Sequence, residues 1–234
     1  MKKFKSWFIA FFIIILAIII LWVIKTPIAA SYLSSKLKTD VSMSNLAVST
    51  KGMQIKNFRI KNPSKSKNRY AFEAKNITIN YSFAKLFASP SIIDDILIED
   101  ISLDIECSNP LCTKNNWTNI VDSVNAKEKR TVSKKEIIIS SLSLKSMDVE
   151  IWGLGLDFDK KKTSHVASLQ FNNFSNKTGF PTQQLIAAIF KSAGLTDYLK
   201  GILEKKSFWE GVMKGFKEIG HVEDNCLEES LKSI

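Results

Sequence analysis

The stretch Tyr70-Ala71-Phe72-Glu73-Ala74-Lys75-Asn76-Ile77-Thr78-Ile79 decides the fold. Apolar residues alternate with polar ones through Tyr70, Phe72 and Ala74, and the alternation returns one residue out of step at Ile77, Ile79 and Tyr81. Alternation at period two marks a strand with one buried face, because successive side chains point to opposite sides of the pleat. The same pattern lies on either side. Upstream come Met43, Leu46 and Val48, then Met53 and Ile55, then Phe58 and Ile60; downstream come Ile96 and Ile98, then Ile101, Leu103 and Ile105. A slip such as Ile55 to Phe58 turns the apolar side chains to the wrong face, and a β-bulge restores them.

Asn62-Pro63-Ser64 and the Lys/Ser/Asn run to Arg69 form a turn signal between two of these strands, as a hairpin or meander requires. Phe83, Leu86 and Phe87 fall at helical spacing, and Ser89-Pro90 marks the turn that returns the chain to strand. Trp117, Ile120, Val121 and Val124 follow i, i+3, i+4, i+7 spacing and predict a short amphipathic helix covering the sheet. Ile137 to Leu144 and Val149 to Trp152 predict a further strand pair, and Val166 to Phe174 one more strand. From Thr182 the apolar period becomes helical: Leu185, Ile186, Ile189 and Phe190, then Leu195 to Leu203, then Phe208 to Ile219. Pro181 with Thr182 as N-cap, and Gly194, Gly201 and Gly220 as breaks, divide this into amphipathic helices.

The other end of the chain is lipid-like. From Trp7 to Ile24 all 18 residues are apolar, including Phe8, Phe11, Phe12, Leu16 and Leu21, with Trp7 and Trp22 at the two margins. At 1.5 Å per residue the run covers roughly 27 Å, close to the ~30 Å hydrocarbon core of a bilayer, and interfacial Trp residues suit its margins. A cleaved signal peptide is the alternative, with Ile28, Ala29 and Ala30 before Ser31 as its cleavage site. Signal-peptide apolar regions run about 7–15 residues, so an uncleaved anchor is expected. Lys2, Lys3 and Lys5 place the N-terminus in the cytoplasm by the positive-inside rule, although Lys25, Lys36 and Lys38 follow the run. The expected organisation is therefore a cytoplasmic flank and anchor over residues 1–25, a stalk over 26–40 and a β-rich domain over 41–180. An amphipathic helical segment over 181–221 and an acidic tail over 222–234 complete it.

The net charge is +10, yet the six lysines before Asp40 carry most of the excess. No nucleic-acid partner is expected, because the folded part lacks a basic patch or a recognisable reading module; the basic run Lys127 to Lys135 has no interleaved aromatics and suits a solvated loop. The two histidines, His165 and His221, have no Cys, Asp or Glu at ligand spacing, so no metal and no cofactor are expected. There is no nucleophile-elbow pattern, and Gly153-Leu154-Gly155 lacks the third glycine and following helix of a phosphate loop, so no catalytic residues are assigned and no enzymatic activity is expected. Cys107 and Cys112 enclose Ser-Asn-Pro-Leu, and either a small disulfide loop or unpaired thiols fits that spacing.

The order of elements from Val41 to Glu106 resembles the N-terminal region of the AsmA family, envelope proteins of Gram-negative bacteria related to TamB. After one span comes a strand pair running into Asn62-Pro63, then Glu73-Ala74 leading to Ile77-Thr78-Ile79, the Phe83 to Phe87 step, and Ile92 to Ile98 rising into Leu103-Asp104-Ile105-Glu106. Asn116-Trp117-Thr118-Asn119-Ile120 is similar to the family's Asn-Trp element. The chain departs from the pattern at Ser64, where a glycine is often found, and lacks the long tandem β extension of large members. The resemblance implies an α+β fold: a curved antiparallel sheet shaped as a taco-like groove with an apolar concave face, short helices and C-terminal amphipathic helices, behind one transmembrane helix. It further implies a bacterial inner-membrane protein with the bulk of the chain in the periplasm, membrane lipids as cargo, an envelope protein as partner and a part in phospholipid transport or envelope homeostasis. Roughly ten strands at ~4.8 Å would make a groove of about 50 Å, too short to bridge a periplasm alone. Two other readings are a structural or partner-binding scaffold with a closed core, and a eukaryotic membrane protein with a late-embryogenesis-like β-sandwich, since that family also carries Asn-Pro after a strand. The residues alone assign no lipid-binding side chains.

Overall fold

The computed structural model describes residues 24–109, 112, 114–125, 135–153, 159–177 and 182–194. Helix α1 covers residues 24–37. It is followed by β1 (Val41–Ser42), β2 (Asn45–Val48), β3 (Gly52–Lys61), β4 (Tyr70–Asn80), α2 (Phe83–Phe87), β5 (Ser91–Ile93) and β6 (Asp95–Glu106). Helix α3 (Asn116–Asn125), β7 (Ile137–Trp152), β8 (Lys161–Ser175) and α4 (Thr182–Ser192) complete the described elements. The eight strands form one mixed, curved sheet that does not close on itself. β1 and β2 pair with successive parts of β3, while β5 and β6 pair with successive parts of β7 in a single unbroken register. The strands therefore fill six positions in the order β1/β2, β3, β4, β5/β6, β7, β8, and five spacings of ~4.8 Å give a sheet about 24 Å across. This is about half the groove expected from ten strands.

Two expectations need correction. The sheet is not wholly antiparallel: β5 and β6 run parallel to β7. A parallel pair cannot be closed by a hairpin, and the connection from Cys107 to Glu136, which contains α3, supplies the required crossover. Ile137 to Trp152 is also one 16-residue strand rather than two, because the phase slip between Leu144 and Met147 is absorbed inside the strand.

How it is absorbed explains the sheet. Asn57 in β3, Asp100 in β6 and Ser146 in β7 have positive φ values of 50°, 52° and 53°. The ladder places these three residues on one transverse line, Asn57–Lys75–Asp100–Ser146–Ala167, with pairing in the same register on both sides of it. The break between β1 and β2 continues that line, where Ser44 accepts a hydrogen bond from Asn57 Nδ2 at 3.0 Å. Every strand thus takes up its extra residue at one level. A second line, Asp94–Ser140–Asn173, crosses the sheet six residues away, at the break between β5 and β6, and Asn173 there has φ 53°.

With the slips aligned, apolar side chains stay on one face in continuous rows. Val48, Met53, Ile79, Ile96, Leu142 and Phe171 form one row; Leu46, Ile55, Ile77, Ile98, Leu144 and Leu169 form the next. Beyond the line follow Phe58, Ala74, Ile101, Met147 and Val166, then Val41, Ile60, Phe72, Leu103 and Val149. Residues from both sides of the line belong to a single buried cluster. Gly52 opens β3 because a Cβ there would lie 2.5 Å from the Ile79 carbonyl oxygen.

Helix α1 lies against the β1/β2 edge and closes it with hydroxyls. Thr26 Oγ1 accepts from the Leu46 N–H at 3.2 Å, and Ser34 Oγ accepts from the Val41 N–H at 2.8 Å. These groups would otherwise be an open strand edge. At the far side α4 packs on β8, with Ile189 buried in the same cluster and Ser192 hydrogen-bonded to Ser164. Among the described residues no helix is long and apolar enough to cross a membrane; the anchor segment, apart from Ile24 at the head of α1, lies outside them, as do the helices expected after Gly194 and the acidic tail.

The transverse line is testable. A β-branched residue in the left-handed region costs roughly 1–2 kcal/mol. Ser146→Val should destabilise the protein by about that amount, whereas Ser146→Gly should be neutral or stabilising, as thermal unfolding of the two variants would reveal.

Candidate functional site

The apolar face is closed unevenly. In the second half of β7 the side chains are sealed, with Met147 2%, Val149 1% and Ile151 1% exposed. Met53, Phe58, Phe72, Ile79, Ile96, Ile98 and Leu103 stay partly open, and they sit on β3, β4 and β6. With the buried Ile55, Ala74, Ile77 and Ile101 of the same strands they form one apolar face, the cup, between α1 on the β1/β2 side and α4 on the β8 side. Two strand spacings make the floor ~10 Å across, and the path along β6 from Ile96 to Ile105 spans ~30 Å if fully extended. Phe58 and Phe72 meet edge to face at 6.2 Å within it. Burial of an apolar chain against such a surface is favourable.

At the end of the sheet where β3 and β6 finish, the opposite face carries a buried polar lock. Asp104 and Glu106 alternate with Leu103 and Ile105, so they face away from the cup. Asp104 is buried and accepts hydrogen bonds from Asn62 Nδ2 at 2.8 Å and Asn68 Nδ2 at 2.6 Å. Asn68 also holds Glu106 Oε1 through its backbone N–H at 2.9 Å and Glu150 Oε2 through its side chain at 3.0 Å. Asn116 acts as a substitute strand: its Oδ1 accepts from the Glu106 N–H at 2.9 Å while its Nδ2 donates to the Asp104 carbonyl at 2.9 Å and to Asn62 Oδ1 at 2.7 Å. The Trp117 indole N–H donates to the same Asp104 carbonyl at 2.8 Å. β4 pairs with β6 only as far as Phe72 opposite Leu103, and these side chains serve the backbone groups left over.

Burial pushes the Asp104 carboxyl up to about 6, an increase that the hydrogen bonds from Asn62 and Asn68 oppose and the neighbouring Glu106 reinforces. Glu150 moves the other way, held below the usual range chiefly by its hydrogen bond from Lys161, at 2.9 Å. Lys161 and Lys67 also lie over the Trp152 ring, at 5.4 and 4.8 Å from its centroid.

Cys107 and Cys112 are joined by a disulfide that opens the crossover beside this lock, with Cα atoms 4.6 Å apart. Of the anchor residues, Trp7, Phe8, Phe11, Phe12, Leu16, Leu21 and Trp22 lie outside the described residues and Ile24 begins α1. His165 is exposed and bonds Asp148 at 2.7 Å; no cluster of three potential metal ligands occurs among the described residues. Gly153, at φ 74°, ends β7 in a turn. Asn62, Asp104, Glu106 and Asn116 come from three segments singled out in sequence for their order alone, and the fold brings all three into contact. No protein-family model, no curated protein and no solved structure matches the chain.

Two outcomes follow from the lock. Asn116→Ala removes the partners of the Glu106 N–H and of the buried Asn62 Oδ1, while the Asp104 carbonyl keeps its bond from Trp117, and should cost about 2–3 kcal/mol in denaturant unfolding. For Asp104, the folded chain binds a proton more tightly than the unfolded chain. Its contribution is full below pH about 4, and stability falls as pH rises through about 6, by on the order of 3 kcal/mol. Asp104→Asn should flatten that segment of the stability–pH curve.

Proposed function

We propose that this chain is a non-catalytic, membrane-anchored lipid-binding protein of the AsmA type, in which the cup over β3, β4 and β6 receives the acyl part of a phospholipid. The observation that carries this reading is the set of partly open apolar side chains on one face of β3, β4 and β6, with Met53, Ile79, Ile96 and Ile98 on one side of the transverse line and Phe58, Phe72 and Leu103 on the other, around the buried Ala74 and Ile101. An acyl chain occupies about half of the ~30 Å hydrocarbon core, and the partly open side chains on either side of the buried Ile101 fall within the ~30 Å extent of β6. Burying a methylene contributes roughly 0.8 kcal/mol, which makes such a floor a strong attractor for a chain of that length. The 18-residue apolar run supports a bilayer anchor, and the Cys107–Cys112 disulfide is in keeping with an oxidising compartment such as the periplasm. A sheet about 24 Å across favours handing lipid over short distances, alone or with an envelope protein partner, over bridging two membranes.

The second reading is a closed scaffold, favoured by the sealed side chains of β7, where Met147, Val149 and Ile151 leave no room for a guest. A photoreactive residue separates the two. With benzoylphenylalanine in place of Phe72 or Leu103 in the full chain, irradiation of cells should give phospholipid adducts by mass spectrometry, and Leu103→Asp should cut co-purified lipid severalfold. Adducts confined to protein at both positions would overturn the lipid reading in favour of the scaffold.

A further inference from the structure

The end of the sheet opposite the lock is built differently. There β2 and β4 end and β3, β5 and β7 begin, with α2 crossing between β4 and β5. Four of the large apolar side chains that the described residues leave exposed gather at this end: Val48 at 53%, Phe83 at 43%, Phe87 at 76% and Ile137 at 40%. Helix α2 buries none of its residues. Polar contacts hold it instead. Ser82 caps it by accepting from the Lys85 N–H, Ser91 Oγ donates to the Leu86 carbonyl at 2.6 Å, and Lys135 Nζ reaches the Leu86 and Phe87 carbonyls at 3.4 and 3.5 Å. The Phe83 and Phe87 rings stand 6.0 Å apart, with Tyr81 5.9 Å behind Phe83. A helix fixed through its backbone with its aromatic rings turned out contributes nothing to a core and presents an apolar patch of the kind that marks an interaction surface.

The direction of α1 identifies what that surface meets. Ser34 lies at Val41 and Thr26 at Leu46, so α1 runs antiparallel to β1 and β2, and its N-terminal end points toward the Phe83–Phe87 end of the sheet. The apolar run Trp7–Ile24 leads into α1 and shares Ile24 with it. Lys25, Lys51, Lys85, Lys135 and Lys177 lie toward this end, against Asp94, Asp95 and Glu136, of which Asp94 is engaged by Lys85 at 2.6 Å and Glu136 by Lys177 at 3.0 Å. Exposed phenylalanines beside a lysine-rich rim suit the interfacial zone of a bilayer.

We propose that Phe83 and Phe87, flanked by Val48 and Ile137, insert into the interface of the same bilayer that holds the Trp7–Ile24 run, as a second membrane contact. The two contacts stand the strands on end, with the lock away from the membrane and the cup continuous with lipid at its base. The proposal rests on the anchor and is independent of whether the cup carries cargo.

Spin labelling of the full chain in vesicles of phosphatidylethanolamine and phosphatidylglycerol tests it. In a Cys226→Ser background, nitroxides at Phe87→Cys and, as a control at the lock end, at Ser64→Cys report collision with oxygen, enriched in lipid, and with a nickel chelate confined to water. Both positions are exposed, so neither substitution removes core packing, and Phe87→Cys gives up only its contact with the Phe83 ring. The expected oxygen-to-nickel ratio is severalfold higher at 87 than at 64, and Phe83→Cys should follow 87. Equal, water-like ratios at 83, 87 and 64 in a chain that floats with the vesicles would overturn the second contact while leaving the anchor in place. A chain that does not float would overturn both.

Discussion

A strand that gains one residue between two apolar stretches must turn the second stretch to the other face unless the extra residue is taken out of the pleat. Neighbouring strands can do this without losing their ladder only if they do it at the same level. The line through Asn57, Lys75, Asp100, Ser146 and Ala167 meets that condition, and most of the architecture depends on it. Asn, Asp and Ser are suited to the left-handed backbone, because short polar side chains tolerate it better than bulky or branched ones. The Lys75–Asp100 ion pair, at 3.3 Å, bridges two strands on the line. The breaks that divide β1 from β2 and β5 from β6 are the edge and second-line expressions of the same requirement.

The two ends of the sheet answer opposite demands. At the lock, buried carboxyl and carboxamide groups satisfy one another and the leftover backbone of β6, and the desolvation of Asp104 is tolerated because each of its carboxyl oxygens has a donor. At the α2 end, apolar rings are left in the open and only the backbone beneath them is held. Between them the face is most tightly sealed on the second half of β7, while β3, β4 and β6 mix buried side chains such as Ala74 and Ile101 with partly open ones.

Much of this is legible in the sequence and some cannot be. The alternation of Tyr70, Phe72 and Ala74 and the slip to Ile77 identify β4, and the slip at Ile55–Phe58 announces an irregularity in β3. That the slips coincide is a property of register, which pairs residues far apart in sequence and leaves no local trace. The same blindness divides β7 into two expected strands, since Lys145-Ser146 reads as a turn when no neighbour is known. The parallel pairing of β6 with β7 escapes a reading of periodicity because period-two patterns are the same in both orientations. The lock residues stand out in sequence only as ordered motifs; an aspartate between Leu103 and Ile105 is expected on a solvated face, and only the hairpin from Asn62 to Arg69 and the Asn116 turn make it interior. The exposed rings of α2 read as a helical step, with nothing in their spacing to distinguish a buried face from an open one.

The parallel seam has a consequence for how the chain acquires its structure. Pairs within β1 to β6 are antiparallel and close together in sequence, and so is the β7–β8 hairpin, but every residue of β6 paired with β7 waits for a partner 46 positions later. Loop closure of that kind is entropically costly and slow relative to hairpin formation. Until β7 pairs, the edge of β6 that it will cover is an open strand edge. The Cys107–Cys112 disulfide and the Asn116 bonds to Glu106 and Asp104 tie the first part of the crossover to the end of that edge strand.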